Sequence, residues 1–273
     1  MTLHAASREA LGLAENTLGE VLGDAGTDPA TVGEELLSVV DLLTGEIGLR
    51  RAVADASSAP EARKNLLRSL LESKLSAPSL KVLETAVSSR WSSPRELLDG
   101  IESLGRSALL TSAEKTGNLD TVEDELFRVA RIVAGEPALE RALSEQTAPA
   151  EAKRTLVRTL FSDKVDVVTE KLAEQAILRN RGRSVAGGLD QLVKLAAERR
   201  QRAVAYVTTA SELSGEQRSQ LAEKLAAIYG KQISLRIEVD PKLGGGLIVR
   251  VGDEVMDGSA AGRIEALRRQ LAG

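Results

Sequence analysis

Residues 45–74 read GEIGLRRAVADASSAPEARKNLLRSLLESK, and residues 135–164 read GEPALERALSEQTAPAEAKRTLVRTLFSDK. Laid over one another without a gap, eleven of the 30 positions are identical, among them Leu49 with Leu139, Arg51 with Arg141, Leu66 with Leu156 and Arg68 with Arg158. Chance at ordinary composition gives roughly two. The likeness continues on both sides, with Leu36 and Val39 over Leu126 and Val129, then Glu84, Ala86 and Val87 over Glu174, Ala176 and Ile177. A duplication at an offset of 90 residues therefore decides the architecture, since each copy must build the same unit.

Each copy is patterned for helices. Leu11, Ala14, Leu18, Val21 and Leu22 form one apolar stripe at helical spacing. Asp28 before Pro29 is an N-cap and first-turn pair for a helix carrying Leu36, Val39, Val40 and Leu43, which Gly45 ends as Gly135 ends its counterpart. Ser58 with Glu61 predicts a capping box for the helix of Leu66, Leu67, Leu70 and Leu71. Val82, Leu83, Ala86 and Val87 mark another helix, and Leu97, Leu98, Ile101, Leu104 and Leu109 carry the spacing towards the second copy. The expectation is a mainly α protein with two tandem antiparallel helical bundles, residues 1–103 and 104–202.

Beyond Arg202 the period changes. AVAYVTTA from Ala203 is rich in β-formers, and Ser214 with Gln217 caps a helix of Leu221, Leu225 and Ile228 that Gly230 stops. Ile233, Leu235, Ile237 and Val239 alternate with polar residues as a half-buried strand does, and LIVRV, a Gly252-Asp253 turn and EVMD follow. Asp257, Gly258 and Ser259 lead into a last helix with Ile264, Leu267 and Leu271 inward and Arg263, Arg268 and Arg269 towards solvent. Residues 203–273 thus predict a small α+β domain in the order β-α-β-β-β-α.

Composition narrows the function. A net charge of -4 and only two Phe, two Tyr and one Trp argue against a protein that holds nucleic-acid phosphates or stacks bases. Cysteine is absent and His4 is the single histidine, so neither a conventional catalytic triad nor a thiolate or imidazole-rich metal site can be assembled. The absence of cysteine fits a reducing compartment. No stretch reaches the roughly 20 apolar residues of a membrane span and the N-terminus lacks a leader pattern, so a cytoplasmic protein without direct membrane insertion is expected.

The run Gly244-Gly245-Gly246 raises the question of a phosphate site. Phosphate-cradling loops pass from a strand through glycines into a helix, whose free amides face the anion, and here the glycines join strand to strand without a following GK[ST]. A tight strand connection is the expectation, with no cofactor. Asp253, Glu254 and Asp257 miss the alternating spacing of a calcium loop, Ser259 is read as the N-cap of the last helix, and the basic runs from Arg179 and Glu198 as solvated helix faces or partners of a helix C-terminal dipole.

VDPKLGGGLIVRVGDEVMDGS, set between a capped helix and a basic terminal helix, resembles the delta subunit family of F-type ATP synthases, known in mitochondria as the oligomycin-sensitivity-conferring protein. The family's C-terminal pattern, D-P-x-L-x-G-G-x-x-V-x-x-G-D-x-x-x-D-x-S, is met by Asp240, Pro241, Leu243, Gly245, Gly246, Val249, Gly252, Asp253, Asp257 and Ser259, with Leu213-Ser214 as the linker. The helical part is less alike: the opening Tyr-Ala-x-Ala-Leu survives as Ala10 and Leu11 of SREAL, and the N-x-R turn as NRGR from Asn180. A second bundle corresponds to duplicated actinobacterial forms.

The resemblance implies a non-catalytic subunit of the peripheral stalk, one copy per complex, at the cytoplasmic face of the plasma membrane. It implies that the helical part holds the N-terminal segments of the alpha subunits on the catalytic head, that the C-terminal part holds the membrane-anchored b subunit, and that the head is thereby kept from turning with the rotor. The cues for which bundle docks divide. The first copy has Ala10 and Leu11 near the N-terminus, whereas the second has the NRGR turn and runs into the C-terminal part. The first is taken as the docking copy, with Ala10, Leu11, Ala14 and Leu18 as candidates, because a folded unit inserted in the linker leaves both ends of the original protein undisturbed. A free-standing helical adaptor and an enzyme with a phosphate ligand at the glycine run are the competing readings.

Overall fold

The computed structural model describes residues 3–145, 147–162, 164–180, 184–202, 204–229, 233–252 and 254–259. The chain divides into two compact units, residues 1–193 and 194–273.

In the first unit, α1 (Ala5–Gly23) is followed by α2 (Pro29–Gly45), α3 (Ile47–Ala54), α4 (Pro60–Leu71), α5 (Ala77–Ser88) and α6 (Pro94–Lys115). Then come α7 (Leu119–Gly135), α8 (Pro137–Ser144), α9 (Ala150–Phe161), α10 (Val167–Leu178) and α11 (Val185–Arg202), which carries the chain into the second unit. Both ends of α7, α8, α9 and α10 lie 90 residues beyond those of α2, α3, α4 and α5. Asp28 caps α2 by accepting from the amides of Ala30 and Thr31, with Pro29 in the first turn, and Gly45 and Gly135 end their helices.

The duplication extends to a cap that spans 41 residues. Glu35 of α2 accepts from the Ser76 amide and hydroxyl at the N-terminus of α5, at 3.0 and 2.6 Å. Glu125 of α7 accepts from the Asp166 amide at 2.8 Å and the buried Thr169 hydroxyl at 2.7 Å, at the N-terminus of α10. A carboxylate placed on free helix amides satisfies donors that the helix itself leaves open. In each copy this ties the second helix to the fifth.

The expected box of Ser58 and Glu61 does not form. Pro60 opens α4, no side chain caps it, and the Ser58 hydroxyl turns back to donate to Asp55 at 3.1 Å. Pro at the first helical position already removes one of the amides that a cap would serve.

The boundary expected between residues 103 and 104 falls inside α6. Residues Leu97 to Glu102 are all buried, as in a helix covered on every side. Leu97, Leu98, Ile101, Leu104 and Ala108 belong to the core of the first bundle, while Leu109, Leu110 and Ala113 are buried outside that cluster, and α6 packs on both α7 and α10. It thus closes the first bundle and stands towards α10 as α1 stands towards α5. The copies share a helix instead of meeting at a linker. Where α2 crosses α6, a Cβ on Gly33 would come within 2.8 Å of Leu109 and 3.0 Å of the Gly105 carbonyl, and one on Gly105 within 2.8 Å of Leu37. Absence of side chains there sets how closely the two axes approach.

The second unit holds β1 (Val204–Thr209), α12 (Gly215–Tyr229), β2 (Ser234–Val239), a 3-10 turn (Pro241–Leu243), β3 (Leu247–Val251) and β4 (Glu254–Asp257). The sheet order is β2-β1-β3-β4, with β1 parallel to β2 and antiparallel to β3, and β3 antiparallel to β4. Ala205, Val207, Val249 and Val251 pack with Leu225 of α12 on one face. Ser214 and Gln217 exchange amide-to-side-chain hydrogen bonds at 2.9 and 3.2 Å, the capping box expected there. Gly230, Asp253 and the expected last helix lie outside the described residues.

Candidate partner-binding surfaces

The C-terminal motif assembles into a brace. Asp240 donates its amide to the Thr209 carbonyl at 2.8 Å and accepts from the Lys242 amide at 2.9 Å, which starts the 3-10 turn holding Pro241 and Leu243. Gly244, Gly245 and Gly246 follow at φ of 70°, 139° and 77°, and Gly252 lies at 59°, backbone that side chains other than glycine seldom adopt. A Cβ on Gly246 would run into the Gly258 carbonyl, and Gly258 donates to Leu247 at 2.9 Å. Asp257 accepts from the Ser259 amide at 2.9 Å, its carboxyl held below the usual 3.8 first by the Ser259 hydroxyl, and Ser259 is buried. The glycines therefore join strand to strand and pack on the chain itself. Among the described residues the loop presents no helix N-terminus to an anion.

The chemical candidates are likewise absorbed locally. His4 donates its amide to Glu96 at 3.2 Å and sets Nδ1 2.6 Å from the same carboxylate. Among the described residues no group of three His, Cys, Asp or Glu side chains could hold a metal, and no helix is long and apolar enough to cross a membrane.

Of the docking candidates, Ala10, Ala14 and Leu18 are buried in the first bundle and Leu11 packs against its core. The stripe that made them legible is the face α1 turns inward. Its flank towards α5 carries Leu13, Thr17 and Glu20; Leu13 is 51% exposed, Thr17 hydrogen-bonds Thr85 of α5 at 3.2 Å, and Glu20 pairs with Lys81 at 3.3 Å.

In the second copy the corresponding side of α10 meets α2 through long side chains. Arg179, immediately after α10, donates to the Leu37 carbonyl at 2.6 Å and to Asp41 at 2.8 Å, Lys171 meets Glu34 at 3.3 Å, and Arg154 of α9 lies 3.7 Å from Asp41. Lys171 and Arg179 are the counterparts of Lys81 and Ser89. Long side chains therefore join α2 to α10 on the side that α5 leaves exposed beside α1.

The sheet supplies a further surface. Arg236, Tyr206, Arg250 and Val255 stand in register across all four strands, away from the face that α12 covers. The Arg250 guanidinium lies 5.2 Å from the Tyr206 ring centre, and Tyr206 and Val255 are exposed. Strand alternation puts Tyr206 opposite Ala205 and Val207, but only the register shows that two arginines flank it.

Residues 106–271 match the family model of the ATP synthase delta (OSCP) subunit. A protein of Streptomyces griseus called ATP synthase subunit delta is 44% identical over 99% of this chain and 100% of its own length. Proteins of that name from Rhodococcus opacus and Nocardia farcinica are each 45% identical, over 99% of this chain and 99% and 100% of their own lengths. The family match begins within α6, so it spans the second copy and the α+β unit.

Proposed function

We infer the role from one premise: the chain belongs to the ATP synthase delta (OSCP) subunit family. It is a non-catalytic subunit of the peripheral stalk. Beyond that, the proposal assigns the N-terminal segments of the alpha subunits to the first bundle and the b subunit to the α+β unit, with one chain per complex at the cytoplasmic face of the plasma membrane. The stalk then keeps the head from turning, and rotor torque is spent on synthesis.

The observation that carries the head contact is the link between α10 and α2. In the second copy that side of α10 is tied to an amphipathic helix, α2, by ion pairs of Lys171 and Arg179. In the first copy the matching face of α5, with α1 beside it, keeps Leu13, Glu20 and Lys81 exposed. A side that pairs with a helix in one copy is suited to a partner helix in the other. The contact residues assigned are Leu13, Glu20, Lys81 and Thr85, while Ala10, Ala14 and Leu18 hold α1 in place. The row Arg236, Tyr206, Arg250 and Val255 supports the sheet as the b-subunit surface, because it combines aromatic, apolar and guanidinium groups on a flat face.

Calorimetric titration of the whole chain with an alpha N-terminal peptide and with the soluble part of the b subunit tests both contacts. Leu13→Asp with Lys81→Glu is expected to weaken the alpha peptide at least about tenfold, equal to about 1.4 kcal/mol, and to leave b binding unchanged. Tyr206→Asp with Arg250→Glu is expected to do the reverse. Unchanged alpha binding in the first variant and loss in a Phe127→Asp variant of the second copy would reassign the head contact.

A further inference from the structure

We propose that two copies of the free chain associate through α7, antiparallel and about a two-fold axis. The starting observation is a difference between the repeats. Leu37 of α2 is 2% exposed, whereas its counterpart Phe127 is 48% exposed, although the chain has only two phenylalanines. The Leu37 side chain lies against Gly105 of α6, and beside it Glu34 and Asp41 meet Lys171 and Arg179, whereas α7 presents the corresponding positions to solvent.

What covers it follows from charge. The α2 face offers Glu34 and Asp41 to Lys171, Arg154 and Arg179. At the matching positions α7 has Asp124 and Arg131, and Arg128 replaces Ser38. Repeating the intramolecular contact between chains would put Arg179 of a second copy against Arg131. Like charges oppose that head-to-tail arrangement, which would otherwise grow without closing.

The closed arrangement is favoured by the same residues. Asp124, Phe127, Arg128 and Arg131 share one side of α7, all exposed, with the Arg131 guanidinium 5.2 Å from the Phe127 ring centre. An antiparallel pair with its axis between residues 127 and 128 brings Asp124 opposite Arg131 of the second copy, twice. It also brings Phe127 opposite Arg128 of the second copy, twice. The two ion pairs lie about 10 Å apart along the helices, at 1.5 Å per residue. A contact confined to one helix face is small, so the dimer is weak and salt-sensitive.

Sedimentation equilibrium of the full chain from about 10 to 500 μM, at low and high salt, tests this. The expected result is a concentration-dependent dimer at low salt. Asp124→Arg alone and Arg131→Asp alone should each weaken it at least tenfold, and the double variant Asp124→Arg with Arg131→Asp should restore it. Circular dichroism melts establish that each variant is folded. A monomer throughout, a dimer indifferent to both single changes, or failure of the double variant to restore association would each overturn the proposal. The outcome is independent of alpha and b binding.

Discussion

The Arg179 guanidinium and the Asp41 carboxylate meet at 2.8 Å across 138 residues of sequence. One belongs to the second copy and the other to the first, and Arg179 also holds the Leu37 carbonyl. The Arg179 side chain is 4% exposed and that of Asp41 39%, so water screens one end of the pair. Arg179→Met is expected to cost about 2 kcal/mol, since it removes the charged bonds to the Leu37 carbonyl and Asp41, and Asp41→Asn about 1 kcal/mol. Urea titration followed by fluorescence of Trp91, the single tryptophan and buried in the first bundle, reads both. An unchanged midpoint for Arg179→Met would mean the copies are not coupled there.

Glycines of the first bundle should respond in opposite directions. Gly33→Ala forces a methyl group into Leu109 and the Gly105 carbonyl, at an expected cost of about 1–3 kcal/mol. Gly12 and Gly19 lie inside α1 with nothing within 4 Å of an added Cβ, so alanine there should stabilise by about 0.5–1 kcal/mol. Thermal melts of the three single variants settle the signs.

How far the sequence carries can be seen in the same helices. The apolar stripes and glycine stops of α2 and α7 were legible because each helix buries one face and ends in the open. The sharing of α6 was not, because the stripe from Leu97 to Leu109 does not reveal that Leu97 to Glu102 are buried on consecutive positions. Glu35 and Glu125 were missed as caps because their partners lie 41 residues on, beyond any local signature. Ala10, Ala14 and Leu18 illustrate a general limit: periodicity marks what a helix buries in its own bundle. In the α+β unit, strand alternation and the glycine-rich connection were readable, while the pairing of Tyr206 with both Arg236 and Arg250 required the register.

The glycine brace predicts a local lesion without a lost activity. Gly246→Ala adds a side chain at φ 77° against the Gly258 carbonyl and should destabilise the α+β unit by at least about 1–3 kcal/mol. The unaltered chain should bind no ATP in calorimetry. Saturable binding that disappears in a Gly245 variant would restore the phosphate reading.

Acid should weaken the cap of α2. The Thr31 hydroxyl and the Thr31 and Ala30 amides hold the Asp28 carboxyl below its ordinary 3.8. A depressed carboxylate contributes stability that is present above about 3.8 and is lost as pH falls through the lower folded value. Asp28→Ala should cost about 1 kcal/mol at neutral pH and flatten the stability profile below about pH 4. An equally steep acid limb in that variant would assign the acid sensitivity to other carboxylates.

The central claim is that this chain couples the head to the b subunit without taking part in chemistry. Membranes carrying the complete ATP synthase except this subunit, assayed for proton-driven ATP synthesis before and after adding the purified chain, test it most directly. Synthesis absent before addition and restored by the unaltered chain, but not by the Leu13→Asp/Lys81→Glu variant, is the predicted result. Full synthesis by the depleted membranes, or the same restoration by that variant, would contradict the account.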